Sequence, residues 1–67
     1  MWSESLKEQT REFLQQYQRG MMKHFGDSRY GICLVSENSF EIFDRKTKEV
    51  ESFNSIEELL AGGWAID

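Results

Sequence analysis

The stretch "RYGICLVSENSFEIFD", residues 29–44, decides how this chain folds. Tyr30–Ser36 and Phe40–Asp44 are two runs of strand-forming residues joined by a turn around Glu37-Asn38; a two-residue turn at either Glu37-Asn38 or Asn38-Ser39 gives the same sorting of faces. Side chains alternate along antiparallel strands, so the hairpin register assigns each residue to one side. Pairing across this turn puts Tyr30, Ile32, Leu34 and Phe43 on one face, and Cys33, Val35, Phe40 and Ile42 on the other. Both faces are apolar, whereas an antiparallel sheet ordinarily keeps one face polar.

A third strand, Glu49–Phe53, follows the turn "DRKTK". Pairing Phe43 with Val50 adds Val50 to the first face and Phe53 to the second, making five apolar residues on each. The first face also holds Glu41 and Ser52, while the second holds Asp44, Glu49 and Glu51. The run "FDRKTKEV", residues 43–50, resembles the second-hairpin turn of the protein G type of immunoglobulin-binding domain. That resemblance implies a six-residue hairpin loop with Lys48 in a left-handed conformation; it extends to the turn and not to the order of elements.

Upstream, Leu6, Phe13, Leu14, Tyr17, Met21 and Phe25 recur at helical intervals, interrupted at Thr10 and Gly20. The spacing predicts one long helix from Ser3 to Phe25. Ser5 and Glu8 form a capping box with Ser3 as a competing cap, and Gly26 is the stop. Downstream, Ser55 and Glu58 cap a short helix with Ile56, Leu59 and Leu60 on its buried stripe, ended by Gly62-Gly63. Residues 64–66 either add a short edge strand or lay Trp64 and Ile66 on the core. The expected architecture is a single compact α+β domain over residues 1–67: a long N-terminal helix, a three-stranded antiparallel β-meander and a short C-terminal helix.

Composition narrows the function classes. Aromatic residues make up 13% of the chain, too much large apolar surface for a disordered segment. One His and one Cys are too few for a structural zinc site, and Gly62-Gly63 lacks the Lys and Ser/Thr of a phosphate loop. His24 reads as a helix-end residue beside Lys23, and Cys33 as a buried, inert thiol. Glu4, Glu8 and Glu12 form a solvated stripe paired with Lys7 and Arg11, and Trp2 packs back on its own domain. No enzyme, cofactor, metal or small-molecule substrate is expected. No apolar run reaches the length of a membrane span and no signal peptide is evident, so the expected setting is the cytoplasm.

Two apolar faces and few helical residues point to a partner. The first face, with fewer charges, is expected to lie under the long helix. Val35, Phe40, Ile42, Phe53 and Trp64 then form a protein interface, for a homodimer or for docking on a larger protein. On that arrangement Phe40→Asp breaks association and spares the fold. The implied function is a small non-catalytic interaction or regulatory protein, of a size and charge that suit phage- or mobile-element-encoded modulators. A nucleic-acid accessory role, through Arg19, Lys23, Arg29, Lys46 and Lys48, is the alternative. It is disfavoured by the net charge of −4.

Overall fold

Ser3 starts the first helix by accepting a hydrogen bond from the Leu6 N–H at 3.2 Å, so Ser3 rather than Ser5 is the cap. In this computed structural model, which describes residues 2–37 and 39–67, α1 runs Glu4–Gln16. Asn38 of the expected Glu37-Asn38 turn lies outside the described residues. Four strands follow: β1 (Arg19–His24), β2 (Tyr30–Val35), β3 (Phe40–Asp44) and β4 (Val50–Phe53). Then come α2 (Ile56–Ala61) and β5 (Trp64–Ile66). The fold is α+β, with an N-terminal helix, an antiparallel sheet in the order β4-β3-β2-β1-β5 and a short C-terminal helix.

The expected long helix is cut short. Tyr17 leaves the helix in an extended conformation, and Arg19–His24 forms the strand between β2 and β5. Glycine costs a helix interior about 1 kcal/mol relative to alanine, which removes support for continuing through Gly20. As a strand, the same residues pair on both sides and bury Met22 completely. Gly20 has a second use: a Cβ there would stand 2.4 Å from the Phe13 ring, so only glycine lets that ring lie against the strand. Gly26, at φ 92°, turns the β1–β2 hairpin instead of ending a helix.

The rest of the meander sorts its faces as expected: Phe43 stands opposite Val50, the expected pair, and Val35 stands opposite Phe40. In the β3–β4 loop, the Asp44 carbonyl accepts from the Lys48 N–H, and the Glu49 carbonyl from the Asp44 N–H. Lys48 takes the left-handed conformation at φ 67° that the protein G resemblance implied. Ser55 caps α2 by accepting from the Glu58 N–H.

The first helix stands on the face opposite to the one expected, and α2 packs on that same side. The core comprises Leu14, Met22, Cys33, Ile42, Leu59 and Trp64, with Val35, Phe40 and Phe53 packed against it. Of the residues expected to form an interface, Ile42 and Trp64 are fully buried in the core, and Val35, Phe40 and Phe53 are partly buried against it instead of lining an open face. Phe40→Asp should therefore disturb the fold. The physical reason lies in β1 and β5. Met22, Trp64 and Ile66 all add apolar bulk to that face, whereas β1 and β5 give the other face Arg19, Met21, Lys23 and Ala65. Thr10, the weak point of the helical stripe, is fully buried; its hydroxyl donates to the Leu6 carbonyl and accepts from the Ile66 N–H. It closes the outer edge of β5, whose backbone groups would otherwise be open to pairing.

Adjacent residues of β3 should therefore respond oppositely to truncation. Ile42→Ala should cost about 2–4 kcal/mol in urea unfolding, from lost burial and the cavity left behind. Phe43→Ala, on the uncovered side, should cost under about 1 kcal/mol. Equal losses would contradict this assignment of the faces.

Candidate functional site: the open face of the sheet

On the side away from the helices, the register aligns Val50, Phe43, Ile32 and Met21 in one row across β4, β3, β2 and β1. Leu34 stands on one side of this row and Tyr30 on the other, both on β2. Met21, Tyr30, Leu34, Phe43 and Val50 are exposed over 37–59% of their surface. With strands about 4.8 Å apart, the row is roughly 15 Å long. No described helix reaches it.

Charge frames the row unevenly. Ser52, Glu41 and Arg19 share the Leu34 side. Lys23 is opposite Tyr30 on the other, and the Arg45 N–H donates to the Tyr30 carbonyl at 2.9 Å. A concavity at this end is lined by Met21, Tyr30, Arg45, Lys46, Lys48 and Asp67. Beside it, the Lys23 ammonium sits 5.4 Å from the centre of the Trp2 ring. That ring packs edge-on against Phe25, and its N–H donates to the Gly63 carbonyl at 2.8 Å. Trp2 thus packs back on its own domain.

The candidate residues separate cleanly between the two sides. Arg19, Lys23, Lys46 and Lys48, named for nucleic-acid contact, all come to the open side. Arg29 does not. Its side chain turns under the covered face, where it donates to Asp44 at 3.0 Å, Asp27 at 3.1 Å and Glu51 at 3.5 Å. It also lies 5.5 Å from the Trp64 ring centre. Three carboxylates hold this guanidinium, so it offers no free charge to a phosphate. Arg29 Nη2 donates to His24 Nε2 at 2.9 Å, which leaves the ring proton on Nδ1, facing Asp27 at 3.2 Å. His24 Nε2 also lies 3.0 Å from the Gly62 carbonyl.

Asp44 is almost fully buried at the centre of this network. Burial alone would raise its pKa, but the N–H groups of Thr47 and Lys46 and the Arg29 guanidinium outweigh burial and hold it below the ordinary value. Burial pushes the Cys33 thiol up to about 11, so the thiolate nucleophile is scarce at neutral pH. Among the described residues, no three His, Cys, Asp or Glu side chains converge in a way that would hold a metal ion. No helix among them is long and apolar enough to cross a membrane.

Set beside known proteins, the chain matches no family model, no curated protein and no solved structure.

Sequence sorting had already grouped Tyr30, Ile32, Leu34, Phe43 and Val50, but placed them under the helix. Met21 was hidden inside the presumed helix. The one local signal for a strand here is the turn: Gly26-Asp27 is as good a hairpin turn as a helix stop, while Arg19–His24 itself shows no apolar–polar alternation.

Asp44 gives this region a measurable acid response. Because its pKa is lower folded than unfolded, the stability it supplies is complete above about pH 4 and is lost as pH falls through the folded-state value. Asp44→Asn should be less stable than the native protein at neutral pH by about 1.5–3 kcal/mol, the worth of hydrogen bonds to a charged group. The gap should close under acid conditions, where the native carboxylate is itself protonated. Melting curves with the same gap at pH values of about 7 and about 2 would refute this role.

Proposed function

We propose that this chain is a non-catalytic interaction module that docks on a protein partner through the open face of its sheet. The observation that carries the reading is the unbroken apolar row Met21–Ile32–Phe43–Val50, uncovered across four strands. An antiparallel sheet that ends in water ordinarily carries polar side chains on that face, and contiguous exposed apolar surface marks association sites. Burying one large apolar side chain is worth about 1.5–3 kcal/mol, so two or three of these residues are enough to anchor a complex. A regulatory role follows if occupancy of the face controls the partner. The unpaired, buried Cys33 suits a reducing compartment, in keeping with a cytoplasmic protein.

A nucleic-acid reading draws on one specific observation: Lys23, Arg45, Lys46 and Lys48 stand near Tyr30, and Phe43 is on the adjacent strand. Cations beside exposed rings are the means by which open sheets hold single strands. Four of the six apolar residues on this face, however, are aliphatic and present no ring on which a base could stack. That composition favours a protein partner.

Phe43→Asp and Val50→Asp test the reading. Both residues are exposed, so the variants should keep the native far-UV circular dichroism and lose under about 1 kcal/mol of stability. In cross-linked pull-downs from the native host, the unmodified chain should retain a partner that both variants lose. Equal capture by folded variants would rule out this face as the docking surface.

A further inference from the structure

We infer that the occupant of the open face is a protein segment whose apolar side chains are interspersed with carboxylates, and not a second copy of this chain. The inference rests on the docking role proposed above and adds the chemistry of the partner. It comes from how charge is divided between the two sides of the sheet.

The chain has eight Lys and Arg residues. Three of them form ion pairs. Lys7 is 3.2 Å from Glu4, Arg11 is 2.7 Å from Glu57 and 3.3 Å from Glu8, and Arg29 holds the three carboxylates described above. All three belong to α1 or to the covered side. The other five, Arg19, Lys23, Arg45, Lys46 and Lys48, have no ion pair among the described residues. By register or by the concavity they line, all five gather on or at the rim of the open face. Against them that side has Glu41 in the row beside Leu34, with Asp67 at the rim. Five cations face two carboxylates, on a chain whose net charge is −4.

A segregation of this kind selects among occupants. A two-fold dimer pressing this face on itself would set the same positive excess on both sides of an apolar, water-excluding contact. Like-charge juxtaposition of that kind costs several kcal/mol. A segment with carboxylates beside its apolar side chains meets both features at once. Its greasy residues cover the row, and its acidic ones reach Lys23 and Arg45 on one flank and Arg19 on the other. Nucleic acid would satisfy the cations, but it would leave Met21, Ile32, Leu34 and Val50 without apolar contact.

The test is a random-peptide display selection against the folded full-length chain, with titrations of the enriched peptides, a dT oligonucleotide and light scattering in parallel. Enriched peptides should combine large apolar residues with an excess of Asp and Glu. Their affinity should fall at least about tenfold in Lys23→Glu/Arg45→Glu, and should weaken as salt rises and screens the rim. They should also fail to bind Phe43→Asp. Loss with Phe43→Asp but not with the charge-reversed variant would leave the docking face standing and overturn its acidic partner. Peptides indifferent to Phe43→Asp would overturn the face itself. Enrichment of nothing, or of peptides without acidic excess, would overturn the inference. So would oligonucleotide binding tighter than any peptide, or a concentration-dependent dimer that Val50→Asp abolishes.

Discussion

A five-stranded sheet has two faces, and the two helices here suffice for one. Leu14, Leu59 and Leu60 are the buried apolar side chains that the helices contribute, and Leu14 and Leu59 lie in the core over Met22, Cys33 and Ile42. Trp64, returning on β5, completes that layer. Neither α1, at 13 residues, nor α2, at six, crosses to the other side. Phe43 and Val50 stay uncovered because the chain spends its helical residues on the opposite layer. The Arg11–Glu57 pair then ties α1 to α2 above the covered face.

The same division governs charge. Asp44 and Glu51 point into the covered side, an expensive place for carboxylates unless a cation accompanies them. Arg29 fills that need from the mouth of β2, backed by the Trp64 ring and by His24. Because this cation is drawn under the sheet and Lys7 and Arg11 are held by glutamates on the helices, the remaining cations stand apart from the carboxylates. A net charge of −4 averages over these two unlike sides. Argued from the total alone, nucleic acid looks excluded. Argued side by side, the open face is basic.

Much of this was legible in the sequence, and what was not has identifiable causes. The turns of residues 29–53 carry their own geometry: alternation sorted Val35, Phe40 and Ile42 to one face whichever two-residue turn joins the strands, and "FDRKTKEV" implied the left-handed Lys48. The Ser55 cap was equally local. Residues 19–24 were not legible, because Tyr17, Met21 and Phe25 continue the helical spacing and the adjacent Met21-Met22 breaks the alternation a strand would show. Only pairing with both β2 and β5 decides between them, and that is a long-range term. Choosing the covered face failed for the same reason. The two faces of the meander tied at five apolar residues each, and the deciding weight came from Met22 and Trp64 on strands outside it. Arg29 resembled any surface arginine because its carboxylate partners Asp44 and Glu51 lie 15 and 22 residues away.

The edges of the sheet complete the asymmetry. β5 has its outer side closed by α1, where the Thr10 hydroxyl takes the Ile66 N–H. β4, at the other end, has no neighbour beyond it. The Asp44 N–H donates to the Glu49 carbonyl, and antiparallel pairs alternate, so Glu51 and Phe53 turn their backbone groups toward β3 while Val50 and Ser52 turn theirs outward. Edge strands are commonly blunted by shortness, charge, proline or a bulge; Val50–Phe53 is four residues long and carries Glu51, which points to the covered side, but no proline or lysine. The apolar row ends at Val50, the most exposed of its residues, on that same edge strand. Open face and open edge therefore meet at one residue, and a molecule that covers the row from β1 to β4 reaches the unpaired backbone as well.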